Sequence, residues 1–254
     1  MIGAIIGDIV GSIYEFDNIK TKDFPLFDEC SMMTDDTVCS VALADCLLNS
    51  GDPVKYLQDY CRRFPSMSYG YNFSRWIDSD NPKPYGSWGN GAAMRISPIA
   101  FYLNDWEEIG WKTVKYTEIT HNDPQGITGA LCTTEAIHFG KTDKNKEYLV
   151  DLLIKYYPTF DLSLTLNDIR PHFKFDESCQ GTVPYAIRCV LESTDFEDAI
   201  RNCISLGGDC DTTACIAGAI AQSYYKEIPQ WIVEQAKYRL PKTFIGIINE
   251  ISTL

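Results

Sequence analysis

Two clusters that join carboxylates to hydroxyls stand near opposite ends of this chain: Thr34-Asp35-Asp36-Thr37 and Gly207-Gly208-Asp209-Cys210-Asp211-Thr212-Thr213. Each precedes an apolar run with helical spacing. Carboxylates and hydroxyls gathered in one pocket would repel one another unless cations neutralised them. Ligand sets made only of oxygen suit hard divalent ions, Mg2+ or Mn2+, at near-octahedral sites. A fold that unites the clusters therefore makes a two-metal site. Helix capping is the competing account: Asp and Thr accept hydrogen bonds from the free N–H groups of a first turn, and carboxylates there suit the helix dipole. A calcium loop fits poorly, because no Asp-x-Asp-x-Asp-Gly run with its closing Glu occurs.

The elements that must position these residues are helical. Val38 to Leu48 repeats apolar residues at helical spacing, and Asp123-Pro124 opens a run to Phe139 with a good cap and first-turn pair. Further helices are expected over Ala92 to Leu103, Glu147 to Tyr156, Val183 to Glu192, Phe196 to Ser205, Thr212 to Tyr225, Pro229 to Tyr238 and Phe244 to Ile251. Few segments alternate as strands do, so the expectation is an all-α fold with one domain over residues 1–254. Asn18 to Ser31, Pro65 to Trp88 and Tyr157 to Gly181 read as irregular. The second holds Tyr69, Tyr71, Phe73, Trp76 and Tyr85, which could stack on a base or anchor the loop to the core.

The apolar N-terminal stretch carries Asp8 and no basic flank, so it reads as a structural helix rather than a signal peptide. Gly3, Gly7 and Gly11 lie four apart and leave one face nearly bare. Ala214, Ala217, Gly218 and Ala221 offer a matching small face after the second acidic cluster. Asp8, Ser12 and Glu15 form a polar stripe beside the glycines. If the small faces pack together, Glu15 reaches the acidic pocket; otherwise the stripe is a solvated surface.

Bulk properties narrow the function. The net charge of −13 disfavours DNA or RNA as a direct partner, though bound cations and helix N-termini can still make a local anion site. No run of apolar residues is long enough for a membrane span. Ten cysteines with no Cys-x-x-Cys pair, and only three histidines, read as reduced core thiols of a cytoplasmic protein rather than disulfides or a zinc site.

Five motifs in order resemble the ADP-ribosylglycohydrolase family: Gly7-Asp8-Ile9-Val10-Gly11-Ser12-Ile13-Tyr14-Glu15, Thr34-Asp35-Asp36-Thr37, Gly89-Asn90-Gly91-Ala92-Ala93-Met94-Arg95, Thr120-His121, and Gly207-Gly208-Asp209-Cys210-Asp211-Thr212. The resemblance runs from Ile2 to about Pro241. It implies a compact all-α domain with two divalent cations, Mg2+ or Mn2+, that hydrolyses the N- or O-glycosidic bond at the distal ribose of an ADP-ribosyl group. By position it implies Thr34, Asp35 and Asp36 on one cation, Asp209 and Thr212 on the other, and Asp211 between them. Glu15 and Asp35 become candidate catalytic residues, with general acid and base unassigned.

Ser87, Gly89, Asn90, Gly91 and His121 become the substrate-binding set. Small residues let backbone N–H groups approach a phosphate, and the family histidine lies near the diphosphate. An ordinary turn is the alternative for the loop and for His121, and a structural salt bridge is the alternative to a phosphate contact for Arg95. The implied partner is an ADP-ribosylated protein or small molecule, bound by a monomer. The chain is short for the family, and Tyr157 to Gly181 matches none of its motifs, which leaves the leaving group open. Two other classes stay in view: a non-enzymatic member, as in lens crystallins of this fold, and a metal-dependent nucleotide phosphohydrolase.

Overall fold

Apolar residues at helical spacing fold into fifteen helices among the described residues. The computed structural model describes residues 1–143 and 145–252; Lys144, Thr253 and Leu254, part of the expected 1–254 domain, lie outside them. The order is α1 (Ile2–Gly11), α2 (Asp35–Leu48), α3 (Pro53–Arg63), α4 (Tyr71–Ile77), α5 (Gly91–Met94), α6 (Ser97–Tyr102), α7 (Trp106–Thr117) and α8 (Pro124–Thr142). Then follow α9 (Glu147–Tyr156), α10 (Leu166–Ile169), α11 (Cys179–Leu191), α12 (Phe196–Leu206), α13 (Cys210–Tyr225), α14 (Gln230–Tyr238) and α15 (Lys242–Ser252). Sheet pairing among the described residues is one isolated antiparallel bridge, Gly89 with Ser178. The all-α expectation holds.

Several elements differ from the sequence reading for identifiable reasons. The single helix expected over Ala92 to Leu103 is two, α5 and α6. Pro98 lacks an N–H and its ring clashes with the carbonyl four residues back, so the helix restarts there. The stretch Pro65 to Trp88 contains α4, and Tyr157 to Gly181 contains α10 and the start of α11. Helices α3 and α7 bury narrow faces, Leu57, Gln58, Tyr60 and Cys61 in one and Ile109, Thr113, Tyr116 and Thr117 in the other, so apolar periodicity alone passes over them. Asp52-Pro53 marks the start of α3 as Asp123-Pro124 marks α8, each Asp side chain accepting from an N–H of the first turn.

Helix α13 is the central element, buried along almost its whole length and packed by α1, α8, α11 and α12. The α1–α13 contact is backbone on backbone. A Cβ on Gly7 would stand 1.9 Å from the Ala214 carbonyl oxygen, one on Gly3 2.3 Å from that of Gly218, and one on Gly11 2.2 Å from Asp211 Cα. The small faces expected to meet do meet. No disulfide forms among the described residues, and nine of the ten thiols are buried.

Substitution Gly7→Ala should therefore destabilise the fold by about 3 kcal/mol or more through overpacking against immovable backbone. Gly110→Ala, with open space where its Cβ would stand in α7, should be neutral or stabilise by up to about 1 kcal/mol. Urea denaturation of the two variants checks the contrast.

Candidate active site

Because Gly11 lies directly on Asp211, the end of α1 and the start of α13 share one place. The chain leaves α1 through a turn closed by Tyr14 N–H on the Gly11 carbonyl (2.8 Å), which delivers Glu15 beside the α13 N-terminus. One oxygen each from Glu15, Asp209 and Asp211 lies within 4.8 Å of the others. Asp35 and Asp36, the first two residues of α2, and Thr212 line the same cleft of about 370 Å³. The two acidic clusters are thus one site.

Asp8 explains why α2 arrives there. It is not on a solvated stripe but fully buried. One carboxylate oxygen accepts from the Thr34 N–H (3.0 Å), the Thr37 N–H (3.1 Å) and the Thr37 hydroxyl; the other accepts from the Thr34 hydroxyl (2.7 Å). The first turn of α2 is thereby tied to α1. Thr34 also accepts from the Asp36 N–H at 3.3 Å as the cap of α2. Capping does not describe Asp209, which makes no side-chain cap bond and instead accepts from Asn90 Nδ2 at 2.6 Å.

The turn before Asp209 needs two left-handed residues, and Gly207 and Gly208 both have φ of +71°. Asn18 clamps this turn: its amide donates to the carbonyls of Glu15 (2.9 Å) and Gly208 (3.0 Å) and accepts from the Gly208 N–H (2.7 Å). Sequence reasoning passed over Asn18, Asp8 as an anchor, and Glu177 on the cleft wall. Asn18 lies in a stretch read as irregular, where only its spacing from Glu15 hints at a role.

Burial dominates the electrostatics of the acidic end. It pushes the Glu15 carboxyl up to about 7, helped by Asp209, Asp8 and Glu177, and the Asp35 carboxyl up to about 8, helped by Asp8. Asp36 and Asp211 are pushed well above the usual carboxylate range by burial and then by their acidic neighbours. Asp36 Oδ2 is buried with no hydrogen-bond partner. An oxygen-only donor set with an orphaned carboxylate oxygen fits divalent cations.

The other end of the cleft is built differently. The loop Ser87–Gly91 is fastened to the α11 N-terminus by Asn90 N–H on the Glu177 carbonyl (2.7 Å) and Cys179 N–H on the Trp88 carbonyl (3.0 Å). Ser87 Oγ accepts from the Gly89 N–H at 3.2 Å. The Asn90 side chain serves the fold: both amide hydrogens are engaged, on Asp209 and on Thr182 (3.0 Å). His121 and Arg95 complete this end, and Arg95 forms no ion pair among the described residues, which removes the salt-bridge alternative. Of the five loop aromatics, Phe73 and Trp76 stack on each other in the core, whereas Tyr71 is exposed at the cleft.

The all-helical fold matches a solved structure along nearly its whole length, and the sequence matches known relatives. A solved structure titled "ADP-ribosylglycohydrolase-related protein complex" superposes with a TM-score of 0.73, covering 99% of this chain and 95% of its own at 21% identity. The ADP-ribosylhydrolase ARH3 of Gallus gallus is 25% identical over 91% of this chain and 86% of its own length. The ADP-ribosylarginine hydrolase Tri1 of Pseudomonas putida is 23% identical over 93% of this chain and 73% of its own. The profile of the ADP-ribosylglycohydrolase family matches residues 1–251, and the chain belongs to that family.

The raised carboxyls set the sign of a pH effect. A carboxylate whose folded value exceeds its unfolded value holds protons in the fold that the unfolded chain has released, so stability falls as pH rises between them. In EDTA the melting temperature should drop from pH 5 to pH 8, through the Glu15 and Asp35 values of about 7 and about 8. Added Mn2+ should raise it, and by more at pH 8 than at pH 5. Scanning calorimetry in the four conditions checks both signs.

Proposed function

We propose that this protein is a divalent-cation-dependent hydrolase that cleaves the N- or O-glycosidic bond at the distal ribose of an ADP-ribosyl group, reversing ADP-ribosylation. The observation that carries the reading is one cleft lined by two chemically opposed groups: the carboxylates of Glu15, Asp35, Asp36, Asp209 and Asp211, and the Ser87–Gly91 loop with His121 and Arg95. An ADP-ribosyl group has the same polarity, with vicinal hydroxyls beside the scissile bond and a diphosphate further along. The names of the relatives, ADP-ribosylhydrolase and ADP-ribosylarginine hydrolase, point the same way.

Thr34, Asp35 and Asp36 would hold one cation, Asp209 and Thr212 the other, and Asp211 would serve both. When bound, the cations neutralise the carboxylates and polarise the oxygens of the distal ribose. Asp8 keeps the Asp35–Asp36 turn in place, and Asn90 keeps Asp209 turned toward the cleft. Glu15, half-buried and hung on the Asn18 clamp, takes a proton from the attacking water as general base. The water oxygen bonds to the anomeric carbon, the bond to the leaving nitrogen or oxygen breaks, and that atom gains a proton. The surrounding carboxylates favour the positive charge that develops on the ring. Tyr71 offers an exposed ring to stack on the base.

Among the described residues no helix is long and apolar enough to cross a membrane. The unpaired, mostly buried thiols support a reducing compartment such as the cytoplasm.

Hydrolysis of arginine- and serine-ADP-ribosylated peptides, with Mg2+, with Mn2+ and with EDTA, tests the reading by the mass of the product. Metal-dependent release of intact ADP-ribose is expected. AMP or free phosphate would instead mark a phosphohydrolase, and no release from folded, metal-loaded protein would mark a binding role. Asp35→Ala and Asp211→Ala should each lower turnover about 100-fold or more while leaving the circular dichroism spectrum intact.

A further inference from the structure

At the anion end of the cleft, Arg95 is 1% exposed and makes no ion pair among the described residues. Its Nε is buried without a partner. A buried guanidinium with no carboxylate is costly unless its hydrogen bonds do something the fold needs. One terminal nitrogen donates to the Thr120 hydroxyl and stands 3.4 Å from His121 Nδ1. Thr120 Oγ1 is itself 2.7 Å from the same Nδ1.

Thr120, with two lone pairs, allows two arrangements, and the Arg95 N–H that faces Nδ1 at 3.4 Å selects one. Arginine can only donate, so the Thr120 oxygen accepts from it. The Thr120 hydroxyl hydrogen then goes to His121 Nδ1, the near acceptor. Nδ1 faces two donors and must present its lone pair, so the ring proton sits on Nε2. Nε2 has no hydrogen-bond partner among the described residues and points at the loop: a Cβ on Gly91 would lie 3.2 Å from it, and one on Gly89 3.7 Å. The His121 N–H is pinned on the Thr117 carbonyl (2.9 Å) at the end of α7, which holds the ring's base in place. At 5% exposure, His121 thus aims one unmatched N–H into the cleft beside the backbone of Gly89 and Gly91.

We infer that Arg95 and Thr120 are positioning residues, which lock His121 as a neutral Nε2–H donor to an anionic oxygen of the ligand. Through this relay the donor keeps one tautomer and one charge state across the neutral pH range. Burial and the Arg95 charge both hold the ring well below the usual histidine range. Tyr85 packs against the ring at 6.2 Å between centroids, and Asp123 turns its carboxylate to the Gln125 N–H (2.8 Å). The inference rests on the proposed function for the identity of the ligand alone.

Long-range 1H–15N spectra of 15N-histidine-labelled protein test the relay without ligand. His121 should show an unprotonated Nδ1, a protonated Nε2 and no titration from pH 5 to pH 8. In Thr120→Val, which keeps the side-chain volume, the ring should mix tautomers, and ADP-ribose affinity measured by calorimetry with Mn2+ should fall about tenfold, the size of one weakened hydrogen bond to a charged group. Thr120→Ser should restore both. A wild-type ring protonated at Nδ1 or titrating between pH 5 and pH 7 overturns the inference, as does a Thr120→Val protein with unchanged spectrum and affinity. Absence of ADP-ribose binding by the wild type counts against the proposed function, and the spectra still decide the relay.

Discussion

The site depends on two helices touching without side chains. Gly3, Gly7 and Gly11 let the backbone of α1 rest on that of α13, so the last turn of α1 and the first of α13 coincide. Any side chain between them would push the helices apart and carry Glu15 away from Asp209 and Asp211. The remaining parts hang on this contact: Asp8 fastens α2 to α1, Asn18 fastens the Gly207–Gly208 turn to Glu15, and Asn90 fastens the loop to Asp209. Asp8 and Asn90 act from buried positions, where a missing partner costs the most, and Asn18 from an exposed one.

The carboxylates that this scaffold collects oppose its stability. Burial and mutual repulsion raise Glu15, Asp35, Asp36 and Asp211 together, and Asp36 keeps an oxygen with no donor. Packing elsewhere offsets this strain, notably the fully enclosed α13 and the apolar faces laid on it. Around the Ser87–Gly91 loop charge is handled in the opposite way: Arg95 is buried with no carboxylate partner among the described residues, and its hydrogen bonds go to the Thr120 hydroxyl and the His121 ring.

Much of this was legible in the residue order, because the decisive signals are local in type. The acidic clusters, the glycine face and its alanine counterpart are visible as spacing, and the structure joins them as that spacing required. Three things were not legible. Asp8 looks the same in sequence whether it faces water or Thr34 and Thr37, since only the tertiary fold decides its burial. Asn90 belongs to a loop that suggests ligand contact, yet its amide is used by Asp209 and Thr182, partners distant in the chain. The break between α5 and α6 follows from Pro98, a signal present in the sequence but outweighed there by the run of apolar residues.

The same α1–α13 contact has a bearing on how the chain is made. Helix α1 is made before α13, the helix on which its bare glycine face rests. Until α13 emerges, α1 has no surface that fits it, and Asp8 and Glu15 remain in water where they are ionised at no cost. The acidic pocket therefore assembles only when this contact between sequence-distant helices closes. A chain made only as far as α12 keeps its two acidic clusters apart, and one that includes α13 can concentrate its carboxylates in one place.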